Sequence, residues 1–261
     1  MTGDPADGDE PTDLIVLKLG GSVITDKDSP ETVDDEALNS VLDAVTAGVA
    51  TDDARLVVVH GGGSFGHVHA AEHGVSTTSG TTDAAAANAI HSAMKRLNSE
   101  VVDRLQAREV AAVPVHLLSV AARNDEGALS LPATATAGLL AEGFVPVLHG
   151  DVIAHAGEGV TVLSGDEIVT SLADSLGASR VGLCSTVPGV LDDDGDVIDE
   201  IRSFEDVASV LGASESTDVS GGMAAKVREL LALGAPAYIF GPDAVDGFLK
   251  GDGAGTLVDG R

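Results

Sequence analysis

Three of the chain's five lysines stand in or beside glycine-rich segments. Lys18 directly precedes the Leu-Gly-Gly-Ser segment at 19–22, Lys27 follows five residues later, and Lys226 follows the glycine pair at 221–222. A lysine ammonium is a compact positive charge, and glycine lets backbone N–H groups approach a bound anion. This combination indicates a site that binds phosphate.

A further glycine-rich segment, His-Gly-Gly-Gly-Ser-Phe-Gly-His at 60–67, follows a strand-like apolar run at 56–59. A segment of helical character comes after it. The free N–H groups at the start of a helix, together with the helix dipole, attract anions. The segment therefore predicts an anion cradle with a histidine, His67, at its edge.

Two familiar nucleotide-binding patterns match this loop only in part. Gly61, Gly63 and Gly66 satisfy the dinucleotide fingerprint, but the Ser/Thr-rich stretch at 76–82 stands where a second strand ending in an acid is required. Gly61 and Gly66 also have the spacing of a Walker A loop. His67 occupies the position where that loop needs lysine, so neither pattern is satisfied.

Two other glycine loops precede helix-like segments. Asp166, in the Leu-Ser-Gly-Asp-Glu segment at 163–167, is either part of an anion site or an ordinary helix N-cap. Lys226 follows the Ser-Gly-Gly-Met segment at 220–223. It either binds an anion or lies on a solvated helix face, and the scarcity of lysine in the chain favours function.

Strands and helices alternate along the chain, which predicts a mostly parallel sheet covered on both faces. The strand predictions are 14–19, 56–59, 110–117, 145–148, 179–183 and 237–240, and the helix predictions include 34–49, 82–108 and 168–176. Two hairpins are predicted, one joining 152–154 to 160–162 and one joining 190–191 to 197–198. We predict an acidic flexible tail over 1–13 and a single domain over 14–261, with lobes at about 14–165 and 166–261.

The composition limits the partners and the setting. Fourteen Lys and Arg against 42 Asp and Glu give a net charge of −28, which disfavours binding to nucleic acid or to an anionic membrane. A hydrophobic content of 44% argues against disorder. At molar salt the Debye length is about 3 Å, so this acidity indicates a halophilic protein. The lone Cys184 excludes an intrachain disulfide and fits a reducing cytoplasm.

Several segments, taken in order, resemble motifs of the amino acid kinase superfamily. They are Lys18 to Ser22 with Lys27, the segment 60–67, Leu-His-Gly-Asp-Val at 148–152, Leu-Ser-Gly-Asp-Glu-Ile at 163–168 and Asp-Val-Ser-Gly-Gly-Met-Ala-Ala-Lys at 218–226. Within the superfamily the chain is most similar to the isopentenyl phosphate kinases, because His67 stands where that family places a histidine on the acceptor phosphate.

The resemblance implies the fold and the reaction. The fold would be a three-layer α/β/α sandwich with a mostly parallel central sheet, plus β-hairpins. The reaction would be ATP-dependent phosphorylation of isopentenyl phosphate, a prenyl monophosphate, to isopentenyl diphosphate in an archaeal mevalonate pathway. ATP and Mg²⁺ would be the cofactors and the protein would be a homodimer. No set of protein residues is identified as a metal site.

The resemblance also implies roles for individual residues. The residues implied in catalysis are Lys18, Lys27, His67 and Asp166. The residues implied in ATP binding are Lys18, Gly20, Gly21, Ser22, Gly63, Gly221, Gly222 and Lys226. The residues implied in binding the acceptor are Gly62, Gly63, His67 and Gly165. Lys27 would stabilise the transferred phosphoryl group, and Asp166 would orient the lysines.

The chain departs from the family at one point. Where members commonly carry Thr-Asp-Val-Asp-Gly-Val near the adenosine, this chain has Ser-Thr-Val-Pro-Gly-Val at 185–190, so Thr186 and Pro188 replace two acids. The adenosine contacts therefore differ. An apolar wall for the acceptor's hydrocarbon tail is expected in the alanine-rich segment 84–94, although those alanines also suit a plain helix.

Other functions are compatible with the same motifs. A sister kinase would act on another small anion such as a fosfomycin-like phosphonate, acetylglutamate or UMP, and the phosphonate kinases share the histidine. A nucleotide-binding sensor on the same fold would have no turnover. The presence of both Lys18 and Lys27 favours turnover, since binding alone has less need of a lysine at the moving phosphoryl group.

Overall fold

The computed structural model describes residues 13–49, 54–211 and 222–261. Most of the predicted acidic tail, and the predicted site residue Gly221, lie outside the described residues. The strands are β1 (Leu14–Leu19), β2 (Arg55–His60), β3 (Ala112–Pro114), β4 (Ala122–Arg123), β5 (Leu129–Ser130), β6 (Val145–His149), β7 (Asp151–His155), β8 (Gly159–Leu163), β9 (Arg180–Cys184), β10 (Glu200–Ile201), β11 (Ala237–Phe240) and β12 (Thr256–Val258).

Helices connect these strands. They are α1 (Gly21–Ile24), α2 (Asp35–Val49), α3 (Gly63–Glu72), α4 (Ala84–Gln106), α5 (Thr134–Ala141), α6 (Gly165–Leu176), α7 (Ala208–Leu211), α8 (Gly222–Leu231) and α9 (Val245–Lys250). Short 3₁₀ turns lie at Leu117–Ser119, Phe204–Val207 and Pro242–Ala244. Across the described segments, no helix is both long and apolar enough to span a bilayer.

Eight strands form the central sheet in the order β10-β12-β11-β9-β1-β2-β6-β3. Every neighbouring pair is parallel except β11 and β12. A second sheet has the order β5-β4-β7-β8, and its β7–β8 pair is the predicted hairpin at 152–162. The second predicted hairpin is reduced to one bridge between Leu191 and Val197.

Side chains of the central strands alternate between two cores. On β1, Leu14 and Val16 pack with α6 and α8, whereas Ile15 and Leu17 pack on the opposite face with α2, α4 and α9. Because successive side chains of a strand point to opposite faces, a strand apolar on both faces must be covered on both. The predicted three-layer α/β/α architecture is therefore confirmed.

The glycine loops leave the central sheet at one edge. The chain leaves β1 at Gly20, β2 at Gly61 and β6 at Gly150, and parallel strands end on the same side. Gly61 N–H donates to the Leu19 carbonyl at 2.9 Å, and Gly150 N–H donates to the His60 carbonyl at 3.0 Å. Each loop thus starts from a fixed hydrogen bond to its neighbouring strand, at the edge where open α/β sheets bind ligands.

Two stacked histidines, His60 and His149, lie fully buried beneath these loops at the ends of β2 and β6. The Nδ1 of each ring contacts the carbonyl oxygen of the following glycine, at 3.1 Å for His60 and 2.9 Å for His149. A carbonyl only accepts, so both Nδ1 atoms donate and both Nε2 atoms accept. Asn98 donates to His60 Nε2 at 3.1 Å, and His116 donates to His149 Nε2 at 2.8 Å.

These contacts require neutral rings. Burial lowers the pKa of His60 to about 4 and, helped by repulsion from the other histidines, lowers the pKa of His149 to about 3. Between the usual histidine pKa of about 6.5 and these values, only the unfolded chain binds the protons. The two histidines therefore make the fold less stable as the pH falls through that range.

We predict that His149→Asn flattens the dependence of unfolding free energy on pH. The replacement removes one proton taken up on unfolding, so the slope between pH 6 and pH 4 should fall by about 1.4 kcal/mol per pH unit. Urea titrations at several pH values and constant KCl measure it. His73→Asn, which removes an exposed imidazole, is the control, and parallel curves for wild type and His149→Asn would contradict the prediction.

Candidate active site

A cleft of about 360 Å³ opens at the edge where the glycine loops leave the sheet. Every predicted site residue within the described part of the chain lines it. These are Lys18, Gly20, Gly21, Ser22, Lys27, Gly62, Gly63, His67, Gly165, Asp166, Gly222 and Lys226. Motifs up to 208 residues apart in sequence therefore meet in one cavity, which is what a shared role in chemistry requires.

One buried carboxylate holds two of the cleft's lysines. Lys18 Nζ lies 2.6 Å from Asp166 Oδ1, and Lys226 Nζ lies 3.6 Å from Asp166 Oδ2. Asp166 is only 6% exposed. Burial alone would raise the pKa of Asp166, but the charges of Lys18 and then Lys226 outweigh it and hold that pKa below its usual value. Asp166 is therefore a fixed negative charge between two cations.

The local fold frees Asp166 for this role. Ser164 is the N-cap of α6: its hydroxyl accepts from Glu167 N–H at 3.2 Å, and the Glu167 carboxylate accepts from Ser164 N–H at 3.0 Å. Because this capping box satisfies the helix end, Asp166 is not the N-cap. Gly165 adds space, since a Cβ there would lie 3.0 Å from Lys18 Cε.

The first two glycine loops touch backbone to backbone. A Cβ on Gly21 would lie 2.1 Å from Gly63 N, and a Cβ on Gly61 would lie 2.6 Å from Gly21 N. Gly63 also has φ +45°, which disfavours other residues. No side chain fits between the loops, so the N-terminal ends of α1 and α3 are brought together beside Lys18.

Lys27 reaches the cleft on a closed loop. Thr25 and Val33 pair at its base, and Asp26 N–H donates to the Thr32 carbonyl at 3.0 Å. The loop is docked on α3, because Ser64 N–H donates to Thr25 Oγ1 at 3.0 Å. Lys27 itself is exposed and, among the described residues, forms no ion pair.

Glu31 secures this loop, and sequence reasoning missed it. Glu31 has φ +49°, its N–H donates to the Ser64 carbonyl at 3.1 Å, and its carboxylate bonds His69 on α3 and Arg96 on α4, the latter at 2.5 Å. The hydrogen bond from His69, despite opposing burial, lowers the pKa of Glu31. Only the assembled fold shows these contacts. In the sequence, an acid a few residues after Lys27 is only a weak indication that Glu31 holds this loop.

The cleft has an apolar part alongside α3. Its walls are Ala70, Ile90, Met94 and Val162. Ile90 and Met94 come from the expected segment of α4, but the alanines at 84–89 do not line the cleft, because α4 turns its Ile90–Met94 stripe toward α3. The apolar wall is thus built from larger side chains than the sequence indicated.

A second buried carboxylate, Asp151, lies in the cleft and was also missed. Its Oδ2 lies 2.7 Å from His91 Nδ1, and Val152 N–H donates to its Oδ1 at 2.8 Å. Burial raises the pKa of Asp151 to about 6, against the attraction of His91. Its hydrogen-bonding capacity is largely used within the fold.

The cleft wall at residues 185–187 belongs to the segment 185–190, where the sequence departs from the family pattern. Ser185, Thr186 and Val187 line the cleft together with Met223 and Ile239. Among the described lining residues, the only carboxylates are Asp151 and Asp166. The wall at 185–187 is therefore neutral, and hydrogen-bond donors and acceptors in place of acids must recognise whatever binds there.

The comparisons with known proteins place the chain in a family. Residues 13–239 match the model of the amino acid kinase family, and the chain belongs to that family. An isopentenyl phosphate kinase from Haloferax volcanii is 64% identical over 248 residues, covering 95% of this chain and 99% of the relative. One from Methanothermobacter thermautotrophicus is 35% identical, covering 84% and 86%.

The fold of the chain also matches that of a solved structure. An isopentenyl phosphate kinase crystal structure superposes with a TM-score of 0.78 at 30% identity, covering 93% of this chain and 98% of that one. The fold is therefore that of a solved kinase structure that matches the chain over nearly its full length.

We predict that Gly21→Ala disrupts the paired loops. The new methyl group would collide with Gly63 backbone, so we expect a loss of unfolding free energy of about 1–3 kcal/mol and weakened ATP binding. Urea unfolding and calorimetry measure these. Gly138→Ala is the matched control: its Cβ meets no atom within 4 Å in α5, and it should be neutral or stabilising by about 0.5–1 kcal/mol. Wild-type stability and ATP affinity in Gly21→Ala would show that the contact between the two loops does not exclude a side chain at position 21.

We predict that Asp166→Asn lowers kinase turnover by about 10²-fold or more. Asparagine keeps the size but removes the charge between Lys18 and Lys226, so the two ammonium groups repel and lose their positions. Steady-state rates measure it. Asp174→Asn, on the exposed side of the same helix, should be unaffected, and equal rates for both variants would show that the carboxylate has no such role.

Proposed function

We propose that the protein phosphorylates isopentenyl phosphate with ATP, giving isopentenyl diphosphate and ADP. The observation that carries the proposal is the position of His67. On α3, His67 lies between Gly63, which contacts the loop after Lys18, and Ala70, which packs with Ile90. A phosphate beside His67 would therefore have apolar side chains within one helical turn for an attached hydrocarbon chain. The 64% identical relative is named isopentenyl phosphate kinase, in agreement with this geometry.

The ATP phosphates occupy the part of the cleft that Lys18, Lys27 and Lys226 line. Lys18 and Lys226 neutralise them, while the N–H groups of Gly21, Ser22 and Gly63 donate hydrogen bonds. Like charges at about 4 Å repel by roughly 4 kcal/mol at an effective dielectric of 20, so bringing two polyanions together requires this concentration of cations and amides. Lys27, on its docked loop, stabilises the transferred phosphoryl group as negative charge spreads over it.

The acceptor phosphate lies between His67 and the first turn of α6, where Gly165 and the helix dipole attract it. An acceptor phosphate, with a second pKa near 6, is already ionised at neutral pH and needs no general base. This fits a cleft whose two described carboxylates are both paired within the fold. The chain's residues therefore position the reactants and neutralise charge.

Magnesium fits this site as part of the nucleotide. Asp166 is held by Lys18 and Lys226, and Asp151 is held by His91, so the described lining residues offer no free carboxylate pair as a metal cage. Mg²⁺ commonly binds through substrate phosphates and retains waters. When bound, it would neutralise charge on the ATP phosphates. A homodimer, a cytoplasmic halophilic setting and nucleotide binding by the lobe at 166–261 remain part of the proposal.

The substrate is tested by ATP consumption at molar KCl with magnesium. Isopentenyl phosphate, dimethylallyl phosphate, fosfomycin, acetylglutamate and UMP are compared as acceptors, and we expect turnover with isopentenyl phosphate to exceed that with the non-prenyl acceptors. His67→Ala should lower that turnover by roughly 10²-fold, about 2.7 kcal/mol, since it removes a donor to the acceptor phosphate. His155→Asn, outside the cleft, is the control.

The outcomes separate the alternatives. Turnover with only a non-prenyl acceptor would favour a sister kinase, and ATP binding without any turnover would favour a sensor. Near-normal turnover of isopentenyl phosphate by His67→Ala would keep the substrate but overturn the role of the histidine.

A further inference from the structure

The C-terminal end of α3 carries a group of metal-ligating side chains outside the cleft. His69, Glu72 and His73 each offer one ligand atom, and these atoms lie within 4.8 Å of one another. No other such group of three is found within residues 13–49, 54–211 and 222–261. Because residues three and four apart share a helix face, the spacing His-x-x-Glu-His places all three on one side of α3 and its end.

One ring nitrogen of His69 remains available for a ligand bond when the ring is neutral. His69 Nε2 bonds the Glu31 carboxylate, while His69 Nδ1 is a buried atom without a hydrogen-bond partner among the described residues. A carboxylate only accepts, so Nε2 carries the hydrogen in the neutral ring and Nδ1 is unprotonated. Glu72 Oε2 lies 3.7 Å from Nδ1, too long for a hydrogen bond but within the separation of two ligands on one ion.

The surroundings complete the pattern of a metal centre. Metal-bound histidines usually donate their other N–H to a carboxylate, which fixes the ring and raises its basicity, and Glu31 is placed to do this for His69. Glu31 is itself held by Arg96 on α4. The site also lies at the C-terminal end of a helix, where the dipole favours a cation. Two imidazoles with one carboxylate suit zinc and neighbouring transition metals better than Mg²⁺.

We propose that His69, Glu72 and His73 bind a divalent transition-metal ion, with Zn²⁺ as the probe, and that Glu31 supports His69 from behind. The three protein ligands leave a fourth position to water. The ion links the end of α3 to the loop that carries Lys27, through His69 and Glu31. The proposal does not depend on the substrate of the cleft.

The test is calorimetric titration of Zn²⁺ into the chelator-stripped, full-length protein at neutral pH and constant KCl, without ATP. We expect one equivalent to bind in a saturable step. His73→Asn and Glu72→Gln remove ligands, so each should weaken this step on the order of 10-fold or more, and Glu31→Gln should weaken it by about 10-fold or more through His69. His155→Asn, which alters a histidine on β7, should leave it unchanged.

Two further readouts keep the test independent of folding. Thermal unfolding of each variant without metal shows whether it is folded, and Zn²⁺ should raise the Tm of wild type and His155→Asn more than that of His73→Asn. Co²⁺ in place of Zn²⁺ should give the strong visible absorption of a low-coordinate ion in wild type and His155→Asn, but not in His73→Asn. Absent or nonsaturable binding, or equal binding by folded His73→Asn, would overturn the site.

Discussion

The contact of Asp166 with Lys18 and Lys226 is the constraint on which the cleft depends. It joins three elements distant in sequence: the end of β1, the start of α6 and the middle of α8. A buried carboxylate is costly unless it is paired, and two ammonium groups close together are costly unless a negative charge lies between them. Each group therefore removes the cost of the others, and the resulting arrangement presents net positive charge to a ligand.

The glycine loops can use that charge only because they approach each other without side chains. Gly21 and Gly63 are in backbone contact, and the buried rings of His60 and His149 hold the following glycine carbonyls. Since the rings are neutral and their tautomers are set by these carbonyls, they anchor the loops without adding charge beneath the cleft. The lysines therefore supply positive charge within the cleft, whereas the neutral histidines beneath it supply only hydrogen bonds.

Sequence patterns predict the parts of this molecule that depend on local order. The run at 14–19, apolar except for Lys18, is β1 with the same bounds, and the run at 237–240 is β11, because a strand covered on both faces is apolar at most positions. The glycine motifs likewise marked the loops that line the cleft. The strand predicted at 110–117 was too long, since only Ala112–Pro114 pairs with β6 before the chain turns.

What the sequence left open depends on contacts between distant residues. Whether Asp166 capped α6 was undecidable until Ser164 and Glu167 were seen to form the cap. Glu31 and Asp151 look like two of 42 acids, and only their contacts with His69 and His91 in the folded chain distinguish them. Of the segment 84–94 expected to form the apolar wall, Ile90 and Met94 line the cleft and the alanines at 84–89 do not, because the face that α4 turns inward is set by packing against α3.

The helix α3 carries residues for both parts of the proposed isopentenyl phosphate site, the phosphate position and the apolar wall. Its first turn supplies Gly63 beside the lysines, its second turn supplies His67, and its third supplies Ala70 on the apolar wall. A rigid helix rises about 1.5 Å per residue, so Ala70 lies about 4.5 Å along the helix axis from His67, the residue proposed to bind the acceptor phosphate. Under the proposed function, one helix therefore presents both the phosphate-binding histidine and part of the apolar wall, and the loop that carries Lys27 is docked on the same helix.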